Sequence, residues 1–267
     1  MTLRSIGIRL GDRLPSLIAT RLRGDSVAAA LLRPIANRIL PAGPSVVEVR
    51  SGLASGIRLE ILPRSEKFYW LGTYEQQVLQ ELAKRLRAGA TYWDVGSHVG
   101  YMVAVASRLV GPTGRVVAFE PNPENVRRLR RTIELNDLRN VTVRDVALSD
   151  HVGESQFFLN ESSAMGSLLP GSSRTPVIPV RTSTVDEELK SIPFPDLVKI
   201  DVEGSENTVL AGATRLFRDR RPELIVEVLT PERRRDVERR LVRFQTSMLD
   251  RHNMLALPTA PGDVVRK

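Results

Sequence analysis

Between Thr91 and Val228 the chain alternates two hydrophobic rhythms. Short, nearly continuous apolar runs cover Thr91–Val95, Arg115–Glu120, Val141–Asp145, Leu197–Asp201 and Leu224–Val228. Such runs suit parallel strands that are covered on both faces. The segments between and after them repeat their apolar residues at helical spacing: Tyr101–Val110, Pro123–Asn136, Ser205–Ala213 and Pro231–Asp250. Strand–helix alternation with right-handed crossovers predicts an α/β fold, a doubly wound, Rossmann-like and mostly parallel sheet with helices on both faces. Ligands of such sheets bind beyond the carboxyl ends of the strands.

Upstream the rhythm differs. Residues 1–42 mix short apolar pieces with Arg4, Arg9, Arg13, Arg21 and Arg23. They read as a basic helical arm, with Ser26 capping a short helix and Pro34 ending it. The arm packs on the main domain or lies peripherally on a membrane. Val46–Arg50 and Ile57–Leu62 read as a strand pair, followed by the aromatic run Phe68-Tyr69-Trp70. Those rings either line a substrate pocket or seal a cap. Thr73 is placed to cap a helix carrying Val78, Leu79, Leu82 and Leu86 on one face. The domains expected are therefore a cap over 1–70, a helical arm plus β-hairpin, and a ligand-binding domain over 71–267. An insertion at about 150–195 carries strands Ser155–Leu159 and Val177–Val180 around a Ser/Gly-rich loop, Ser162–Ser173, placed near the site. Met254–Leu257 reads as a last short strand.

Composition narrows the chemistry. The 267 residues include no cysteine, which removes disulfides, thiolate zinc sites and thiol nucleophiles. No apolar run is long enough for a membrane span, and no secretory signal is evident, so a cytoplasmic location is expected. The formal charge of +8 rests mostly on arginine and reads as an evenly solvated basic surface, with no nucleic-acid partner expected.

Five constellations stand at the predicted strand ends. The first is Asp94-Val95-Gly96-Ser97-His98-Val99-Gly100-Tyr101, a strand, a glycine turn and a helix start. Its glycines are expected to bring bare backbone N–H groups to a ligand. Asp94 beside that turn would repel a pyrophosphate, yet it suits an amino group or a cation. S-adenosylmethionine carries an ammonium and a sulfonium. In the second, Glu120-Pro121-Asn122-Pro123, the acid stands twenty-six residues after Asp94, where it can accept from a ribose diol. The third, Asp145-Val146-Ala147-Leu148-Ser149-Asp150, is placed to read an adenine edge. The fourth, Lys199-Ile200-Asp201-Val202-Glu203-Gly204-Ser205-Glu206, puts Lys199 and Asp201 on one strand face. Glu227 ends the fifth strand, where it can face Asp201.

The three runs Asp94–Tyr101, Ala118–Pro123 and Val198–Glu206, in this order, resemble the FkbM family of S-adenosylmethionine-dependent methyltransferases. Gly72-Thr73-Tyr74-Glu75 and Thr184-Val185-Asp186-Glu187 are similar to family features as well. The likeness covers about residues 68–230. Ser97-His98 stands where Ala-Asn is commoner. The resemblance implies a class I methyltransferase fold and methylation of a hydroxyl on a sugar, glycolipid or polyketide-type natural product. It implies cofactor contacts from Asp94, Gly96, Ser97, Gly100, Glu120, Pro121, Asn122, Asp145 and Ala147, and substrate contacts from Tyr74, Glu75 and Glu227. A hydroxyl must lose its proton as it attacks, so a base is needed. Candidates are Asp201, Glu203 and His98, with Lys199 orienting the substrate or itself acting as base. Asp201 and Glu227 could instead hold a divalent cation. The chain after Glu227 looks short for the antiparallel hairpin that closes this fold.

Three other classes compete. A nicotinamide-dependent oxidoreductase is disfavoured by the glycine spacing and by the lack of a Tyr-x-x-x-Lys pair. A nucleic-acid methyltransferase lacks both an Asn/Asp-Pro-Pro-aromatic motif and a cysteine. A non-catalytic binding protein leaves the acidic strand ends without a purpose.

Overall fold

The computed structural model describes residues 40–159, 166–169 and 176–259. The expected arm over 1–42, its Ser26 cap and the basic residues cited there lie outside these, apart from the last three positions. Among the described residues no helix is long and apolar enough to cross a membrane. The chain divides into two compact units, Met1–Gln76 and Gln77–Lys267.

In the first unit β1 (Ser45–Glu48) pairs antiparallel with β2 (Arg58–Ile61), as the alternation predicts. Helix α1 (Lys67–Leu71) carries the aromatic run and ends at Gly72, whose φ of 68° only glycine adopts readily. A side chain on Gly72 would also strike the Ser51 carbonyl. Tyr69 and Trp70 are buried, and the Phe68 and Tyr69 rings pack on Tyr74 at 5.2 and 4.7 Å. Thr73 does not cap the next helix: its hydroxyl donates to the Phe68 carbonyl, and α2 begins only at Gln76 (Gln76–Arg85). The apolar face of α2 is as expected, with Val78, Leu79 and Leu82 buried.

The second unit holds a seven-stranded sheet. Its strands are β3 (Thr91–Val95), β4 (Arg115–Phe119), β5 (Val141–Arg144), β10 (Leu197–Ile200), β11 (Glu223–Glu227), β12 (Phe244–Met248) and β13 (Asn253–Pro258). They lie in the order β12-β13-β11-β10-β3-β4-β5. All neighbours are parallel except that β13 runs antiparallel to both β11 and β12. The expected long helix Pro231–Asp250 is therefore corrected. Helix α8 (Pro231–Arg240) stops early, and Phe244 starts the hairpin that closes the sheet. The arginine-rich stretch masks this break, because a β-strand at the sheet edge alternates too weakly to announce itself.

Sheet register fixes which side chains share a face. Trp93, Val95, Val117, Phe119, Val198, Ile200, Leu224 and Val226 point to one side. There they pack on Val209, Leu210, Leu216, Val237 and Leu241 from α6 (Glu206–Ala211), α7 (Thr214–Asp219), α8 and the residue that ends it. Tyr92, Asp94, Ala118 and Lys199 point to the other, with Asp94 directly opposite both Lys199 and Ala118. Helix α3 (Tyr101–Val110), apolar on nearly every side, packs on β3 and β4.

The insertion forms a second sheet in the order β6-β9-β7-β8, from β6 (Ala147–Leu148), β7 (Gly153–Leu159), β8 (Gly166–Ser167) and β9 (Val177–Ser183). The expected strands are present as β7 and β9, and most of the Ser/Gly-rich loop lies outside the described residues. After β9, Thr184 caps the short helix α5 (Val185–Glu188). Asp186 then does something the sequence did not announce: its two oxygens accept from the backbone N–H groups of Arg215 and Leu216, at 2.7 and 3.1 Å. This carboxylate satisfies the free N–H groups at the start of α7, which has no side-chain cap of its own. Asp186→Ala is expected to cost about 1–2 kcal/mol of stability, read as a lower urea midpoint with unchanged slope. An unchanged midpoint would remove that role.

Candidate active site

The carboxyl ends of β3, β4, β10 and β11 gather seven acidic and basic side chains. The strand order reverses between β3 and β10, which is where open α/β sheets form their ligand crevice.

The glycine turn after β3 is held from two sides. Gly96, at φ 89°, presses against the end of β10, and an added Cβ would collide with the Asp201 carbonyl. Gly100, at φ 86°, gives way to Leu129 of α4 (Pro123–Leu135), so its role is helix packing. The expectation of bare N–H groups is corrected. The N–H groups of Gly96 and Ser97 both donate to the Phe119 carbonyl at 3.0 Å. The His98 N–H donates to Glu120 Oε2 at 2.8 Å, and the Gly100 N–H to the Ser97 carbonyl. Packing against the next strand end consumes what a phosphate would need. His98 itself sits at φ 49°, a left-handed conformation costly for a side-chain-bearing residue.

Asp94 is buried and accepts from the Tyr92 hydroxyl at 2.9 Å. Burial pushes its carboxyl up to about 6, against the pull of Lys199 and Tyr92. Glu120 is buried too. Beyond His98 it accepts from Asn122 N–H at 3.0 Å and Asn125 Nδ2 at 3.3 Å. Burial still raises it to about 7.

Three of the residues expected to contact a cofactor are occupied elsewhere. The side chain of Asn122 caps α4 by accepting from Glu124 N–H at 3.0 Å, with Pro123 at the first helical position. Asp145 is turned to Arg130, 2.7 Å away at the surface. Ala147 is buried in β6, paired with Thr182. Pro121 follows Glu120 and is half-buried. Tyr74 and Glu75 belong to the first compact unit, where Glu75 takes a left-handed φ of 39°.

On β10, Lys199 is 2% exposed and donates to Asp201 Oδ2 at 2.5 Å. Beyond it, Glu203 takes a left-handed φ of 54°, and Gly204 follows at 106°. Glu206 accepts from the N–H groups of Val202 and Gly204 at 3.3 and 2.8 Å, which ties this loop down. Burial, then repulsion by Asp201 and Glu206, lifts Glu203 to about 7. Burial, then Asp201 and Glu203, lifts Glu227 to about 10, so near neutral pH it carries a proton. Glu227 Oε2 is buried without a hydrogen-bond partner among the described residues.

Five carboxyls at this sheet edge, Asp94, Glu120, Glu203, Glu206 and Glu227, are raised, first of all by burial. A ligand with two cationic centres would restore them to their ionised forms, so the donor set fits S-adenosylmethionine. Tyr92, Glu206 and Ser167 were not assigned from the sequence. Tyr92 could have been found from its i, i+2 spacing to Asp94. Ser167, whose hydroxyl reaches the Val202 carbonyl at 3.4 Å from the insertion, gives no local signal.

Glu227 makes stability depend on pH. Its ordinary value is 4.5 and its folded value about 10. Its contribution is therefore complete below about pH 4.5 and is lost as pH climbs toward 10. Glu227→Gln removes that titration. Urea unfolding between about pH 5 and about pH 9 is expected to show the variant gaining steadily on the wild type. A gap that does not change with pH would sink the raised Glu227 carboxyl.

Comparison with known proteins identifies a family. Residues 94–252 match the model of the methyltransferase FkbM domain. The hexuronic acid methyltransferase AglP of Haloferax volcanii is 30% identical over 146 residues, 54% of this chain and 58% of that protein. An arsenite methyltransferase of Halobacterium salinarum is 26% identical over 134 residues, 47% of this chain and 34% of that protein. The chain thus spans well under two thirds of either relative. A solved FkbM methyltransferase from Methylobacillus flagellatus superposes with a TM-score of 0.44 at 17% identity, covering 67% of this chain and 57% of that one. The match to the domain model takes in the carboxyl ends of β3, β4, β10 and β11, and the chain belongs to the FkbM family of S-adenosylmethionine-dependent methyltransferases, with their class I fold.

Proposed function

We propose that the chain methylates a hydroxyl of a sugar, glycolipid or polyketide-type natural product, in the cytoplasm. The observation that carries this reading is the Lys199–Asp201–Glu227 cluster with Glu203 beside it, placed one strand across from Asp94. The relative named for a hexuronic acid supports a sugar acceptor.

The cofactor would supply an electrophilic methyl on a sulfonium. Asp94 would hold positive charge, and Glu120 a ribose diol. Glu120 already accepts three hydrogen bonds, and a carboxylate has about four such positions. The 3.3 Å contact from Asn125 is the longest and the one to be released. Tyr92 keeps the Asp94 carboxylate aimed. Lys199 fixes Asp201, which orients the acceptor hydroxyl. Glu203, raised to about 7, is matched to accept the hydroxyl proton near neutral pH. Lys199, tied to Asp201, orients the acceptor in this scheme and is not its base. The backbone of His98 serves Glu120, which favours a cofactor-side role for that residue.

A second reading has its own observation, the bare Glu227 Oε2. A divalent cation held by Asp201 and Glu227 could take the place of the Glu227 proton and lower the pKa of the acceptor hydroxyl.

Glu120→Ala is expected to weaken S-adenosylmethionine binding by about tenfold or more in calorimetry. Wild-type affinity would remove the ribose role. Asp201→Asn should cut turnover far more than cofactor affinity, measured with labelled cofactor on a glycan and natural-product panel. Equal losses would make Asp201 structural or cofactor-directed. Exhaustive chelation separates the two mechanisms: turnover that collapses and returns with magnesium supports the cation, and unchanged turnover eliminates it.

A further inference from the structure

Helix α8 is rich in arginine, and its arginines are not alike. Arg234 pairs with Glu238 and Arg235 with Glu232, each at 3.0 Å. Arg239 pairs with Asp236, and Arg240 donates to Asn207 at 2.5 Å. Arg233 differs: its guanidinium has no ion pair or side-chain hydrogen bond among the described residues, and it is half-buried.

Its position is built. Gly204, at φ 106°, presents a bare α-carbon, and an added Cβ would collide with Nη1, Cζ and Nη2 of Arg233. The guanidinium therefore lies against Gly204. That glycine belongs to the loop that carries Asp201 and Glu203, and the loop is tied down by Glu206 on one side and by Ser167 of the insertion on another. Arg233 acts on Glu203 through its field without closing an ion pair with it. Of the two cations named at this edge, Lys199 is already held by Asp201. Arg233 is left with five N–H donors in a planar fork, the geometry that takes an oxyanion on two oxygens. Partial burial strengthens such a contact.

We propose that Arg233 binds an anionic group of the methyl acceptor, so that the acceptor is an acidic sugar whose carboxylate or phosphate docks on the guanidinium beside Gly204 while its hydroxyl reaches Glu203. This rests on the sugar-hydroxyl reading above and narrows it. Arg233 is then a specificity-determining residue: it touches the acceptor and leaves the cofactor contacts alone.

Calorimetry on the full chain tests this in two steps. S-adenosylhomocysteine is titrated first into the wild type, Arg233→Gln and Arg233→Lys. Equal affinities within about twofold are expected, and they also certify that the variants fold. D-glucuronate, D-glucose 6-phosphate and D-glucose are then titrated into the loaded proteins. The wild type is expected to prefer one of the two anions to glucose by about tenfold or more. Arg233→Gln should erase that preference, and Arg233→Lys should keep part of it. Preference for glucuronate assigns a carboxylate, and preference for the phosphate ester assigns a phosphate. Equal or absent binding of all three sugars by the wild type overturns the proposal, as does an Arg233→Gln protein that still prefers an anion. Failure of S-adenosylhomocysteine to bind the wild type would instead strike the methyltransferase reading itself, and the proposal with it.

Discussion

A lysine buried inside a parallel sheet holds this site together. Lys199 is 2% exposed, lies opposite Asp94 on the neighbouring strand and donates to Asp201 two residues further along its own. An isolated ammonium there would be prohibitive, and so would the carboxylates without it. The two signs stabilise each other only because β3 and β10 are in register and because Gly96 lets the strand ends close on one another. Burial behind the sheet raises Asp94, Glu120, Glu203, Glu206 and Glu227, and the neighbouring acids add to it. An edge with this much acid suits a cationic cofactor.

The turn after β3 states the same preference in another way. The N–H groups of Gly96, Ser97, His98 and Gly100 are spent on the end of β4, on Glu120 and on the turn itself. A dinucleotide site would leave such groups pointing outward for a pyrophosphate. Here the turn offers carboxylates and carbonyls, which favour positive charge. Glu120 couples the two halves of the cofactor face, since one carboxyl fixes both the His98 turn and the start of α4.

Much of this was legible in the sequence, for reasons that differ by element. The strands β3, β4, β10 and β11 are apolar on both faces, and burial on both faces writes itself as continuous runs. Their terminal acids, Asp94, Glu120, Asp201 and Glu227, stand out because charges at such places are costly. The same legibility failed where side chains serve the backbone. Asn122 and Asp186 read as binding or family residues, yet they cap helices, and a cap looks like any other polar residue until its helix is located in space. Asp145 read as an adenine contact, but Arg130 lies fifteen positions upstream, one turn of α4 away from any local pattern. The closing hairpin hid behind an arginine run that suits a helix as well as a strand edge. Arg233 hid in that run too, since only geometry separates it from four paired neighbours.

The insertion has a consequence for how such a protein can be changed. Its sheet is rooted where β6 and β9 run side by side and where Gly212 closes on the Ser149 carbonyl. Its far end, at β8, reaches the Val202–Ser205 loop. Root and tip are thus different in kind: one is joined to the scaffold by strand pairing and close backbone packing, the other meets the Val202–Ser205 loop through the Ser167 hydroxyl. Substitutions in β7 and β8, which lie between the anchor strands β6 and β9 in the chain, would be felt at the Val202–Ser205 loop through Ser167 while β3 and β4 stay as they are.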